Sequence, residues 1–117
     1  MVVSTDAAVA QEFLTKQVEL LESGNTAELA QRYAEDALLV RFDRVARGRS
    51  EVKEFFDFYL TQNPTIDRIV GSQITDNVIV YEAKESLAGE PVTAVGTLVF
   101  VDGLVWRQTA VFVGAND

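Results

Sequence analysis

From Thr65 onward helix signals vanish and four strand-like runs follow one another, at about 66–74, 78–87, 92–101 and 104–113. Asp76-Asn77, the Ala88-Gly89-Glu90-Pro91 bend and Asp102-Gly103 separate them, and Asp-Gly between two apolar runs is the strongest hairpin signal of the three. Successive runs joined by reversals predict an antiparallel meander, a kind of sheet that commonly packs one face against a core.

The first half of the chain reads mainly as helix. Apolar residues recur at helical spacing up to about Ser23, with Ser4, Thr5 or Asp6 as the expected cap and Gly24 as the left-handed terminator. At ~100° per residue, Val9, Phe13, Leu14, Val18, Leu20 and Leu21 fall in one half of this helix. Gln17 lies near the middle of that arc and is expected to be buried. Asn25 and Glu28 form a capping-box-like start for a short second helix, in which Leu29 and Tyr33 share a face and which should end before Asp36. Residues 37–42 read as a strand and VARGR as a loop, and Ser50 with Glu51 starts a third helix. Val52, Phe55, Phe56, Tyr59 and Leu60 follow the i, i+3, i+4, i+7, i+8 stripe, and Asn63-Pro64 closes the helix. The order implies an α+β fold, with three N-terminal helices packed on one face of a curved, mainly antiparallel sheet.

At 117 residues the chain suits one domain, 1–117, and 48% hydrophobic against 24% charged residues is the balance of a packed core. There is no cysteine and no histidine. Disulfides, thiolate nucleophiles, cysteine- or histidine-held metals and serine–histidine triads are therefore excluded, no cofactor is implied, and acid–base work falls to carboxylates, tyrosine, lysine or water. The net charge of −8 argues against nucleic acid as a partner. Residues 41–53 run against that charge, with Arg41, Arg44, Arg47, Arg49 and Lys53 facing only Asp43 and Glu51, a local +3 that reads as a solvated loop or an anion-steering rim. The start MVVSTDAAVAQEF lacks a basic lead and an apolar run, and no window offers the roughly 18 apolar residues a membrane span needs. A cytoplasmic protein with no membrane partner is the expectation.

In the predicted strand, Leu38, Val40 and Phe42 form one apolar face, while Leu39, Arg41 and Asp43 share the other. Those two charges either pair at the surface or line a pocket. Around them stand three short signatures: Gly24-Asn25 after the first helix, Tyr33-Ala34-Glu35-Asp36-Ala37 at the second, and Gly48-Arg49-Ser50 before the third. Together with the element order, these make the chain resemble the nuclear transport factor 2-like superfamily, in particular its SnoaL-like and ketosteroid isomerase-like members. The resemblance spans nearly the whole chain. It implies a cystatin-like cone with a central ligand cavity and a homodimer contact on the other sheet face, and it says little about activity.

Carried over residue by residue, the isomerase machinery is missing. The oxyanion-stabilising tyrosine falls at Gln17, the base aspartate at Arg41 and the protonated aspartate near Thr97; a guanidinium cannot act as the base. The epoxide hydrolase branch uses an Asp-Arg-Asp arrangement, of which Arg41 and Asp43 offer half, with Glu85 or a rim residue as the second carboxylate. Arg41 has two readings: an anchor for an anionic or carbonyl group, or an ion pair with Asp43 or Glu85 that fixes the strand. Gln17 either bonds a ligand carbonyl or satisfies a buried group.

The candidate catalytic residues are thus Asp43 and Arg41. The candidate ligand-binding residues are Phe13, Gln17, Tyr33, Phe56, Tyr59, Trp106 and Gln108, with Trp106 and Gln108 placed inward because they share one face of the last strand. The expected ligand is a small apolar or weakly acidic molecule, acted on by an isomerase, cyclase or hydrolase reaction. The alternative is a non-catalytic module joining copies through the valine-rich face of Val95, Val99, Val101, Val111 and Val113.

Overall fold

The alternation after residue 64 produces one continuous wall. The computed structural model describes residues 7–114, so the expected cap at Ser4, Thr5 or Asp6 lies outside the described residues. In chain order the elements are α1 (Ala7–Glu22), α2 (Thr26–Gln31), β1 (Tyr33–Val40), β2 (Val45–Arg47), α3 (Gly48–Thr61), β3 (Pro64–Thr75), β4 (Val78–Leu87), β5 (Glu90–Val101) and β6 (Leu104–Gly114). The six strands form a single sheet in the order β2-β1-β6-β5-β4-β3, antiparallel except where β1 runs parallel to β6. Three helices pack on this curved sheet as an α+β cone. Breaks in register at Ile66/Arg68 and Ile69/Gly71 of β3, and between Val105 and Arg107 of β6 opposite Val99 and Phe100 of β5, mark bulges, the local devices that bend a sheet.

The turn after α1 follows its sequence signals. Gly24 takes φ +72°, the Asn25 N–H reaches the Leu20 carbonyl at 2.9 Å and the Gly24 N–H reaches Leu21 at 3.1 Å, a Schellman closure. Asn25 then caps α2, its Oδ1 accepting the Glu28 N–H at 3.1 Å. The inner face of α1 is turned slightly from the expected one, so that Ala10, Leu14, Gln17, Leu20 and Leu21 are buried while Val9 is half exposed.

Four expectations are corrected. Helix α2 stops at Gln31, and Tyr33 opens β1 instead of continuing the helix, because Tyr33 pairs with Val105 and the Arg32 carbonyl accepts the Val105 N–H at 2.9 Å. A ladder with β6, more than seventy positions away, outcompetes one more helical turn. VARGR is not all loop, since Val45–Arg47 pairs with β1 through Leu38↔Arg47, Leu39↔Ala46 and Val40↔Val45. Strand β1 accordingly ends at Val40, and Arg41–Arg44 is the hairpin loop, closed by the Arg41 N–H to the Arg44 carbonyl at 2.8 Å. Helix α3 begins at Gly48, ahead of Ser50, and Glu51 supports that start by accepting the Arg47 N–H at 2.9 Å.

Candidate functional site

Pairing across the sheet stacks inward residues into rows. Ile79–Leu98–Gln108, Tyr81–Gly96–Ala110 and Ala83–Ala94–Phe112 cross β4, β5 and β6, and their side chains share the concave face because strand side chains alternate. The middle of that face is built from Ala83, Ala94 and Ala110, with Gly96 covered by the end of the Tyr81 side chain, so the wall is low where the core would otherwise be filled. Helices α1 and α3 roof the hollow with Leu14, Leu21, Phe55 and Phe56, leaving a cavity of about 90 Å³. This is smaller than the ~150 Å³ cavity that takes up benzene. As it stands, the cavity suits a molecule of a few carbon atoms.

Two polar groups interrupt the apolar lining. At the first, β4 carries Glu85 in the inward row of Ile79, Tyr81 and Ala83, and Glu85 is 7% exposed. Tyr59 of α3 donates its hydroxyl to Glu85 Oε1. Burial pushes the Glu85 carboxyl above the usual carboxylate range, while the Tyr59 hydrogen bond and the nearby Arg41 guanidinium partly offset that rise. Burial and the Glu85 charge push Tyr59 upward as well, so its hydroxyl stays protonated. The Arg41 guanidinium lies 4.6 Å from the centre of the Phe112 ring and 3.2 Å from Asp43, and the Phe112 ring stacks on Tyr59 at 6.1 Å. A buried carboxyl, a phenol and a cation thus meet at one end of an apolar hollow.

The second group is a chain of hydrogen bonds among buried amides and phenols. Arg32 Nε donates to Gln17 Oε1 at 3.0 Å, and Gln17 Nε2 donates to the Tyr33 hydroxyl at 3.1 Å. Tyr33 donates to Gln108 Oε1, and Gln108 Nε2 donates to the Tyr81 hydroxyl at 3.2 Å. Gln17, Tyr81 and Gln108 line the cavity; Tyr33 sits behind them, fully buried, with its ionisation pushed upward by burial. Burial likewise pushes Tyr81 up to about 12. Tyr81 reaches this position across Gly96: a Cβ on Gly96 would fall 2.4 Å from the Tyr81 hydroxyl oxygen and 2.6 Å from the Thr109 carbonyl.

The structure therefore gathers Arg41, Gln17, Phe56, Tyr59 and Gln108 around one hollow and leaves the other candidates elsewhere. Asp43 stands in the β1–β2 hairpin loop with its side chain 66% exposed, paired to Arg41 and not lining the cavity, because β1 ends before the alternation could carry it inward. Arg41 is the cavity-side member of that pair, its side chain 18% exposed. Phe13 packs edge-on against Phe100 and under the Arg32 guanidinium.

Trp106 does not share the inward face with Gln108. Val99 pairs with Arg107 and Phe100 with Val105, so Trp106 is the extra residue of a β6 bulge. Val105 and Gln108 both point inward across it, while the Trp106 indole turns toward Asp36 at 3.4 Å and carries the Arg107 guanidinium on its ring at 3.6 Å. Thr97 lies in the outward row with Val80 and Thr109. Tyr81 is absent from the sequence-derived candidates, and Glu85 stands among them only as a second carboxylate or ion-pair partner for Arg41, although the alternation of β4 carries the signal: a phenol and a carboxylate in an inward row otherwise made of Ile79, Ala83 and Leu87.

No family model matches this chain, and no curated protein does. Solved structures do match in fold. A SnoaL-like protein of unknown function from Burkholderia thailandensis superposes with a TM-score of 0.81 at 14% identity, covering 96% of this chain and 100% of that one. A candidate ketosteroid isomerase from Kribbella flavida gives 0.77 at 22% identity over 89% of this chain and 77% of its own. A candidate polyketide cyclase from Sinorhizobium meliloti gives 0.75 at 16% identity, covering 86% and 94%. Identities this low establish a shared fold, and neighbours with such different names establish no shared reaction.

Proposed function

We propose, from the nuclear transport factor 2-like fold that this chain has, that it is a single SnoaL-like domain whose cavity binds a small, largely apolar, uncharged molecule and exchanges a proton with it through Glu85. The observation that carries this reading is the buried carboxyl of Glu85, held by Tyr59 at one end of an apolar hollow. Desolvation moves such a carboxyl toward neutrality, where it both takes and returns protons efficiently. Proton transfer is the step that isomerisation, cyclisation and hydrolysis have in common. Arg41 acts as an electrostatic neighbour, tuning Glu85 and stabilising charge that develops beside it. An anionic ligand fits less well, since it would compete with Asp43 for Arg41 and approach Glu85.

A thermal-shift screen of small neutral ketones, lactones and epoxides tests the reading, because a site in the native state gives saturable stabilisation, about 2.7 kcal/mol at a hundred times Kd. Any hit is then assayed for turnover. Glu85→Gln should keep the binding and lose the turnover at least about a hundredfold, within the range of general acid–base catalysis. A screen with no saturable hit, or turnover that survives Glu85→Gln, would count against it.

A second reading rests on the opposite face of the sheet. Val80, Val95, Val101 and Val113 are exposed there, each between 38% and 43%, and Val99 and Val111 lie among them. Such a face suits a second copy of the chain, and it would serve equally a non-catalytic module.

A further inference from the structure

The hydrogen-bond chain behind the cavity has a fixed polarity, and its starting point sets it. A guanidinium has only donors, so Arg32 can bond Gln17 only through the amide oxygen. The Arg32 side chain cannot turn away, because it also donates to the Phe13 carbonyl at 2.9 Å and lies 4.0 Å over the Phe13 ring. Gln17 must then present its NH₂ to Tyr33, whose hydroxyl accepts and has one proton left. That proton goes to Gln108 Oε1, which leaves the Gln108 NH₂ for Tyr81. The Tyr81 hydroxyl therefore accepts from Gln108 and keeps its own proton, and it donates to no acceptor among the described residues. Amide orientations are ambiguous when taken singly, but this cation removes the ambiguity along the whole chain.

We infer that the Tyr81 hydroxyl is the specificity-determining donor of the cavity, and that it selects a ligand presenting an acceptor oxygen, a carbonyl or ether oxygen, lodged beside Ala110. Each acceptor atom of the chain already receives one hydrogen bond, whereas the Tyr81 proton has no acceptor among the described residues, so the unmet group at this end of the hollow is a donor. A ligand oxygen that accepts there gives that proton the partner which the protein lacks. Glu85 stands four residues from Tyr81 on the same face of β4, with only Ala83 between them. A molecule held by its oxygen at Tyr81 thus extends along the strand toward the carboxyl. The inference rests on the proposed small-molecule reading and adds the class of ligand to it.

The experiment uses two small probes of one shape, cyclobutanone and methylenecyclobutane, titrated by NMR against the full chain and against Tyr81→Phe. The substitution should weaken the ketone about 3- to 10-fold, the range of one hydrogen bond, and leave the hydrocarbon unchanged. The infrared carbonyl band of cyclobutanone bound to the unaltered protein should lie below its position in hexane, and this measurement decides the matter alone if Tyr81→Phe does not fold. Equal effects on both probes, or a bound carbonyl band at the hexane position, would overturn the inference while leaving the small-molecule reading in place. Failure of both probes to bind the unaltered protein would overturn the two together.

Discussion

Glu85 is the residue on which chemistry and stability meet. Burial raises its carboxyl above the ordinary value of 4.5, so between 4.5 and the raised value the native state holds a proton that the unfolded chain has released. Stability is therefore full below 4.5, falls as pH rises through that window and levels off above it, by about 1.4 kcal/mol for each unit of displacement. Glu85→Gln, which still accepts from Tyr59, should lack this fall. Urea unfolding of both proteins from pH 4 to 8 measures it, and parallel curves would show that Glu85 is not displaced. Arg41→Met removes the cation that favours the Glu85 anion and should move the carboxyl further up, which carboxyl-carbon NMR reads directly. At this scale the sequence spoke unevenly. The buried position of Gln17 follows from counting around α1, whereas Asp43 lies outside the cavity lining because its placement depends on where β1 ends. Glu85 could have been read from β4 alternation, but its buried environment comes from Tyr59, Phe112 and Arg41, contributed by three other parts of the chain.

At the scale of elements, β4, β5 and β6 are matched so that small residues coincide, and Gly96 is the strictest of them. Alanine there would press on both the Tyr81 ring and the Thr109 carbonyl, and the backbone has no free rotamer with which to yield. Gly96→Ala is expected to cost about 1–3 kcal/mol, the usual range for overpacking, and to displace the Tyr81 hydroxyl from Gln108. Equilibrium urea unfolding gives the first quantity and a crystal structure of the variant the second. A variant as stable as the parent would mean that the sheet opens at β5. The runs of β3 to β6 were legible because alternation and turn chemistry are local properties. The β6 bulge was not, since one extra residue leaves the composition of a strand unchanged while reversing the side on which Trp106 emerges. The exchange of helix for strand at Tyr33 has the same origin, a pairing with β6 that no local window contains.

Taken whole, the molecule is a curved sheet with one face closed by helices and the other carrying a valine field. On the proposed second reading, the parent protein should sediment as two copies at micromolar concentration and Val95→Lys as one, since a charge at the centre of that face opposes burial. A parent that sediments as a single chain would remove this reading. No helix among the described residues is long and apolar enough to cross a membrane. By itself, the sequence determined the class of fold, the run of the meander and the chemistry that is absent, because periodicity, turn residues and missing cysteine and histidine can all be read along the chain. Only the tertiary structure decided which charges are exposed, which small residues coincide to leave a hollow, and that Glu85 and Tyr81 face into it. Those outcomes depend on register, bulges and burial, which arise when distant segments pair and are written in no single segment.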